Sequence, residues 1–193
     1  MTCEGGVLQP PLFSRSIRNP IRFLCSVASA AFLVLSPCLP AQAASAQDNP
    51  AVPAILAGAE SLFQSMKARD YPAIFAALSA KSRETIVAET SSALAAAGTP
   101  SRAPANAPPP GPDAVRSDFV AGGPIAREYW DAFLRRFDPD AALEHSRWVI
   151  GSVGKERAEI LLTHRGADHP ATLKMFLEAG AWKVGLVETF WAR

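Results

Sequence analysis

The sequence predicts an α+β domain in which N-terminal helices pack on one face of a curved antiparallel sheet of about four strands. Two observations predict this fold class. Apolar residues recur three and four positions apart as far as about residue 137, and from Arg147 onward they alternate with a period of two. The first spacing is that of amphipathic helices and the second is that of half-buried strands. Helices followed by a run of short strands are typical of α+β domains.

Residues 1–43 are predicted to be a secretory signal peptide. Three arginines precede the uncharged run "FLCSVASAAFLVLS", and small residues follow it, which is the order found in exported proteins. Cleavage is expected after Ala43 or Ala46, and the mature protein is expected in the periplasm or outside the cell. A membrane anchor is a weaker alternative because it needs about 20 apolar residues, and Pro37 interrupts this run. The membrane would then be contacted only through an uncleaved leader.

The composition of the mature chain excludes several kinds of site. Cys3, Cys25 and Cys38 all lie in the leader, so disulfides, thiolate metal sites and a cysteine nucleophile are not expected. The leader holds three of the 19 basic residues and one of the 18 acidic residues, which leaves 16 and 17 and a net charge of −1. No basic stripe remains, so nucleic-acid binding has no electrostatic support. No metal-ligand spacing and no cofactor fingerprint is present, and we expect neither a metal nor a cofactor.

Residues 50–193 are predicted to form one domain that begins with three helices. The first covers 53–70 and carries an apolar stripe at Ile55, Ala59, Leu62 and Met66. The second starts at Asp70, which is a good N-cap residue, with a proline in its first turn. The third covers 82–98, with Ser82 as its predicted cap and Gly98 at its end.

A proline-rich segment, residues 98–113, interrupts the helices. It contains six prolines between Pro100 and Pro112 and no large apolar residue, which is typical of a surface loop or linker. The segment is interpreted as a tolerated insertion, and the alternative is a docking site for a proline-recognising partner. Helix is predicted to resume over 122–146, with a separate short turn starting at Asp138 and Pro139.

Four strands are predicted at the C-terminal end, joined by tight turns. Gly180 is expected to adopt a positive φ in the last turn, and Gly185 is expected to bend the last strand. The predicted strands cover 147–153, 157–165, 171–179 and 181–191.

Three stretches carry a resemblance to a known superfamily: "MKARDYPAIFAALS", "REYWDAFLRRFDP" and "LEAGAWKVGLVETFW". Helices followed by a curved sheet that closes on such a strand resemble the nuclear-transport-factor-2-like superfamily, whose cone-shaped fold is also called cystatin-like. The resemblance is to exported bacterial members without an assigned function. It implies a sheet wrapped around a central cavity. In some relatives that cavity catalyses dehydration or isomerisation; in others it binds a small molecule, is filled by side chains or serves a dimer, so the fold alone does not choose.

Two titratable residues are candidates for acid–base chemistry. His164 shares a predicted strand face with Ile160 and Leu162, and it is either a general base in the cavity mouth or an exposed strand-end residue. Glu188 follows an apolar face of the last strand, and it is either an inward acid–base group or paired with Arg147 or Arg165. His145 and His169 are expected to be exposed. Four aromatic residues are candidates for a ligand pocket, with packing into the core as the alternative: Tyr129, Trp130, Trp148 and Trp182.

The sequence therefore supports three functional hypotheses. The first is a non-enzymatic binding domain in the cell envelope, with a small apolar ligand or an envelope protein as its partner. The second is a cofactor-free dehydratase-like or isomerase-like enzyme that uses His164 and Glu188. The third is a structural domain with a filled cone that acts through its surface or as a homodimer.

Overall fold

A computed structural model of the chain describes residues 49–97 and 109–190. The predicted signal peptide, with cleavage after Ala43 or Ala46, lies outside this part of the chain. So do residues 98–108 of the proline-rich segment. Within the described residues, seven helices and one four-stranded antiparallel sheet form an α+β fold with six of the helices before the sheet. The predicted fold class is confirmed.

The first two helices form where the sequence predicts them. Helix α1 covers Val52–Ala68, and its buried residues are those of the predicted stripe together with Phe63. Helix α2 covers Tyr71–Ala77, and the Asp70 side chain accepts a hydrogen bond from the Ala73 amide at 3.1 Å. Asp70 is therefore the N-cap, because its carboxylate satisfies an amide that has no partner inside the helix.

Helix α3 covers Ala80–Ala97 and begins earlier than predicted. The predicted cap, Ser82, is wrong: Ser82 lies inside the first turn and is fully buried. The capping hydroxyl belongs to Ser79, whose Oγ accepts a hydrogen bond from the Ser82 amide at 3.1 Å. Both serines suit an N-terminus by residue type, but hydrogen bonds with Val187 and Glu188 draw the Ser82 side chain inward. The predicted end at Gly98 lies outside the described residues.

Helix α4, Pro112–Ala121, was not expected. It begins inside the predicted proline-rich loop, so that loop ends before residue 113. Its only buried side chains are Val115 and Phe119. Two apolar residues four positions apart are too few to indicate an amphipathic helix in the sequence. Proline in the first turn is compatible with the helix because the missing amide hydrogen has no partner there.

Two further helices lead into the sheet. Helix α5 covers Pro124–Leu134, and the Asp118 carboxylate accepts a hydrogen bond from the Ala126 amide in its first turn at 2.8 Å. Helix α6, Pro139–Leu143, is the predicted short turn, and the Asp138 side chain caps it.

The sheet is an antiparallel meander with the strand order β1-β2-β3-β4, and it does not close into a barrel. A register shift between Ile150 and Val153 marks an irregularity in the first strand, which bends a strand locally. Gly180 has the predicted positive φ, at 79°. The strands are β1 Ser146–Val153, β2 Arg157–His164, β3 Ala171–Glu178 and β4 Ala181–Gly185.

The predicted last strand, 181–191, is too long. Strand β4 ends at Gly185, and Leu186–Phe190 form helix α7. The Cβ atom that any other residue would place at 185 would collide with the ring of Phe176, and it would lie 3.2 Å from the Cβ of Glu188. Gly185 therefore does more than bend the strand: it ends β4 and lets the chain turn back closely over β3.

The hydrophobic core lies between the helices and one face of the sheet. That face presents alternate residues of the three last strands, including Ile160, Met175 and Val184. Trp130 is the largest fully buried side chain, and its ring makes edge-on contacts with Phe119 and Phe133. Edge-to-face contacts of this kind stabilise aromatic clusters beyond simple burial.

Candidate ligand-binding groove

An open groove of about 1040 Å³ lies between α3 and the sheet. Lys81, Thr85 and Glu89 line it from α3, and their spacing of four residues places them along one side of that helix. The opposite wall is formed mainly by the ends and the second face of β1, β2 and β3, with the buried Ala158 and Met175 behind it, and residues of α7 line one side. The lining residues from the strands and α7 are Ser152, Arg157, Ala158, Glu159, Lys174, Met175, Phe176, Glu178, Val187 and Glu188.

The N-terminus of α3 is held against the sheet by a carboxylate. Both oxygens of Glu178, the last residue of β3, lie 2.9 Å from the Ala80 amide nitrogen. A guanidinium nitrogen of Arg83 lies 3.7 Å from Glu178 Oε2. A carboxylate at this position satisfies a free amide and offsets the positive end of the helix dipole. The wall that α3 forms is therefore fixed at its first turn.

Glu188 connects the same turn of α3 to α7. Its Oε2 accepts a hydrogen bond from Ser82 Oγ at 2.6 Å, and its Oε1 accepts one from Ser79 Oγ at 2.9 Å. Ser82 Oγ in turn accepts a hydrogen bond from the Val187 amide at 3.0 Å. The expected pairing of Glu188 with Arg147 or Arg165 is wrong, since the carboxylate is bonded to two serine hydroxyls instead.

The helix that carries Glu188 also covers a free edge of β3. Strand β4 pairs with β3 only as far as Lys174, which lies opposite Gly185. The Lys174 amide donates its hydrogen bond to Thr189 Oγ1 of α7 at 3.0 Å. On the other edge of β4, the Ser79 amide donates to the Val184 carbonyl at 2.9 Å. Hydrogen bonds of backbone amides therefore connect β3 to α7 and β4 to the start of α3, in addition to the side-chain hydrogen bonds.

Three cations line the groove without an ion pair in the described part of the chain: Lys81, Arg157 and Lys174. Arg157 lies over the ring of Phe176, with 5.9 Å from its guanidinium carbon to the ring centroid. Lys81 is the second residue of α3, where a positive charge is disfavoured by the helix dipole. No ion pair with a described residue offsets this unfavourable interaction of Lys81.

The two predicted acid–base residues are not brought to one site. His164 is exposed at the end of β2, and it is not among the residues that line the groove. Glu188 does line the groove, but both of its oxygens are occupied by serine hydroxyls. His145 and His169 are exposed, as expected.

The four predicted pocket aromatics lie in or against the hydrophobic core, and none of them lines the groove. Trp130 has no exposed surface. Trp148 is half-buried, its ring packs edge-on against Phe63, and its Nε1 donates a hydrogen bond to the Ala142 carbonyl at 2.8 Å. Trp182 packs close to Gly58 of α1, where a Cβ would lie 2.8 Å from the Trp182 carbonyl oxygen.

Tyr129 also packs into this cluster, against Phe119 and Trp130. Burial of its phenol raises the pKa of Tyr129 above the ordinary value, and the negative charge of Glu89 raises it further. The neutral phenol is therefore strongly favoured, and Tyr129 does not provide a phenolate base near neutral pH.

Sequence reasoning missed most of the groove. Ser79 and Ser82 at the start of α3 and the cations of β2 and β3 are ordinary polar residues until the fold brings them together. One signal was available for Lys81: a lysine in the first turn of a helix opposes the dipole. A second was the pair of charged residues at alternate positions of each strand, which indicates that this face of the sheet is not packed in the core. These residues are Arg157 and Glu159 in β2 and Lys174 and Glu178 in β3.

In residues 49–97 and 109–190, no group of three or more His, Cys, Asp or Glu side chains converges to hold a metal ion. None of the helices in these ranges combines the length and apolar character that crossing a bilayer requires. Comparisons with protein-family models, with curated proteins and with solved structures found no match to this chain.

Proposed function

We propose that this protein is an exported, non-enzymatic binding domain of the cell envelope, and that its ligand occupies the groove between α3 and the sheet. The observation that carries the proposal is the groove of about 1040 Å³. This volume lies just above the range of small-molecule sites, which is roughly 300–1,000 Å³. The aromatic residues that the sequence offers for a pocket are packed in the core instead.

The groove offers both apolar and charged surface to a ligand. The half-buried ring of Phe176 supplies its main apolar surface, and charged side chains surround this ring. A few polar groups around an apolar surface are typical of ligand sites, since the apolar part supplies affinity and the polar groups fix orientation. This combination supports binding of a molecule with both kinds of surface.

Binding is favoured over acid–base catalysis because the acid–base pair suggested by the sequence does not assemble. His164 is exposed outside the groove, and the Glu188 carboxylate is held by Ser79 and Ser82. A general base must lie within hydrogen-bonding reach of the proton that it removes. Glu188 is instead placed to stabilise the junction of α3 and α7.

Membership of the nuclear-transport-factor-2-like superfamily is part of the same proposal. It is supported by the order of elements, with six helices before a four-stranded antiparallel meander. Export is supported by the charged, apolar and small-residue order of residues 1–43. A binding domain in the periplasm or outside the cell agrees with a mature chain that lacks cysteine.

Native mass spectrometry of the protein purified from the envelope of its native source tests this proposal. We expect a retained small molecule on the wild type and none on Thr85→Trp, in which an indole fills the groove from α3. Ser92→Trp is the matched control, because Ser92 is exposed on the same helix and does not line the groove. A bare polypeptide mass for all three proteins would contradict the proposal.

A further inference from the structure

The charges in the groove are not equivalent, because most of its carboxylates are already bonded within the protein. Glu178 accepts from the Ala80 amide, and Glu188 accepts from Ser79 and Ser82. These hydrogen bonds spread and stabilise the negative charges where they are. Glu159 likewise accepts a hydrogen bond from Ser152 Oγ at 2.9 Å.

The three cations of the groove have no such partners in the described residues. Lys174 faces Glu159 across the β2–β3 pair and Arg157 faces Phe176, yet neither cation forms an ion pair within 4.0 Å. Arg157 and Lys174 are diagonal neighbours on one face of adjacent strands, where Cα atoms lie roughly 7–8 Å apart. Both long side chains can therefore reach one anionic group.

We propose that the ligand of the groove is an organic anion with an apolar body, whose anionic group is bound by Lys81, Arg157 and Lys174. This inference rests on the proposed function and names the chemical class of the ligand. The anion supplies the ion-pair partner that these cations lack among the described residues, and it accounts for a lysine in the first turn of α3. The apolar body of the ligand contacts the half-buried ring of Phe176, which lies on the same face of β3 as Lys174.

Glu89 sets the direction in which the ligand lies. It is the one groove carboxylate that makes no hydrogen bond or ion pair with another described residue. Glu89 follows Lys81 by eight residues, which is about 12 Å along a helix. Its negative charge repels an anionic group from that end of the groove, so the anionic group binds at the Lys81 end.

Two aromatic probes with the same skeleton test the inference. Anilinonaphthalene sulfonate is an organic anion with an apolar body, and phenylnaphthylamine lacks the sulfonate. We expect the sulfonate probe to bind the wild type with one site per chain, and at least about tenfold more tightly than the neutral probe, as one charge-assisted contact implies. Raising the salt concentration should weaken only the sulfonate probe, because salt screens charges on an open surface.

Paired charge variants locate the anion. Lys81→Gln/Lys174→Gln is expected to weaken the sulfonate probe at least about tenfold and to leave the neutral probe unchanged. Lys155→Gln/Arg165→Gln is the matched control, since it removes the same charge from exposed residues outside the groove. Thermal unfolding followed by circular dichroism confirms that each variant folds. The salt titration on the wild type tests the inference without any variant.

The outcomes separate the inference from the proposed function. Equal binding of both probes, without loss in the Lys81/Lys174 variant, would overturn the anion inference and leave a binding groove. An equal loss in the control pair would also overturn it, because the probe would then respond only to net charge. Failure of both probes to bind the wild type at all would overturn the inference and the proposed function together.

Discussion

Ser82 Oγ donates a hydrogen bond of 2.6 Å to Glu188 Oε2, across 106 positions of sequence. Ser82 is fully buried, and its neighbour in the network, Ser79, has 1 % of its surface exposed. This contact joins the first turn of α3 to the last helix of the described chain. It holds two walls of the groove together, so the shape of the proposed site depends on it.

Replacement of Ser82 by alanine should destabilise the protein by about 1–3 kcal/mol, the usual penalty when buried polar groups lose their partner. The variant removes the donor to Glu188 and the acceptor for the Val187 amide. Urea denaturation measures the effect as a lower midpoint with an unchanged slope.

The control for this variant is Ser92→Ala, on the exposed surface of the same helix. We expect it to change the free energy of unfolding by less than about 0.5 kcal/mol. Equal midpoints for Ser82→Ala and Ser92→Ala would contradict the role given to the Ser82–Glu188 contact.

Replacement of Gly185 by alanine should cost about 1–3 kcal/mol, as overpacking in a dense region usually does. The added methyl group meets the Phe176 ring on one side and the Cβ of Glu188, at 3.2 Å, on the other. Thermal unfolding followed by circular dichroism measures the loss.

Gly111→Ala provides the comparison, because a Cβ at Gly111 meets no atom within 4 Å. Gly111 precedes α4 as its N-cap, and the substitution should cost less than about 1 kcal/mol. Equal losses of stability for Gly185→Ala and Gly111→Ala would contradict the close packing of the β4–α7 turn against Phe176.

The protein should lose stability at alkaline pH partly through Tyr129. Burial raises the pKa of Tyr129 in the folded state, so folding favours the neutral phenol. Its contribution to the free energy of unfolding is fully present below pH of about 10, the ordinary tyrosine pKa. It is lost as the pH rises from there towards the folded-state pKa. Tyr129→Phe should therefore show a shallower fall in urea midpoint above pH of about 10 than the wild type.

The chain contains two tyrosines, which makes a direct spectroscopic check available. In Tyr71→Phe the near-ultraviolet absorbance of phenolate reports Tyr129 alone. It should appear only when the protein unfolds at alkaline pH. Phenolate absorbance from a folded protein near pH 10 would show that Tyr129 is not protected.

The sequence predicts elements well where one local signal dominates. The stripe from Ile55 to Met66 and the cap at Asp70 are both local features, and both are confirmed. The first three strands are also confirmed, and the fourth is confirmed as far as Gly185, because apolar residues alternate along each of them. Helix α4 was missed since it buries only Val115 and Phe119 and begins among prolines and glycines.

Features that depend on distant contacts were not predictable in the same way. The residues after Gly185 alternate like a strand, but Val187 and Glu188 bond to the α3 turn and adopt a helix instead. Glu188 was singled out from the sequence and does line the groove, although its partners are serines rather than an arginine. Lys81 and Lys174 are 93 positions apart in the sequence, and only the folded chain brings them to the walls of one groove.

Amide NMR of the isotope-labelled protein, titrated with anilinonaphthalene sulfonate, tests the location of the site most directly. The account predicts saturable shifts at Lys81, Thr85, Arg157 and Lys174, with the amides of the aromatic core around Trp130 unchanged. Shifts centred on Trp130 and Trp148, with the groove amides unmoved, would contradict it.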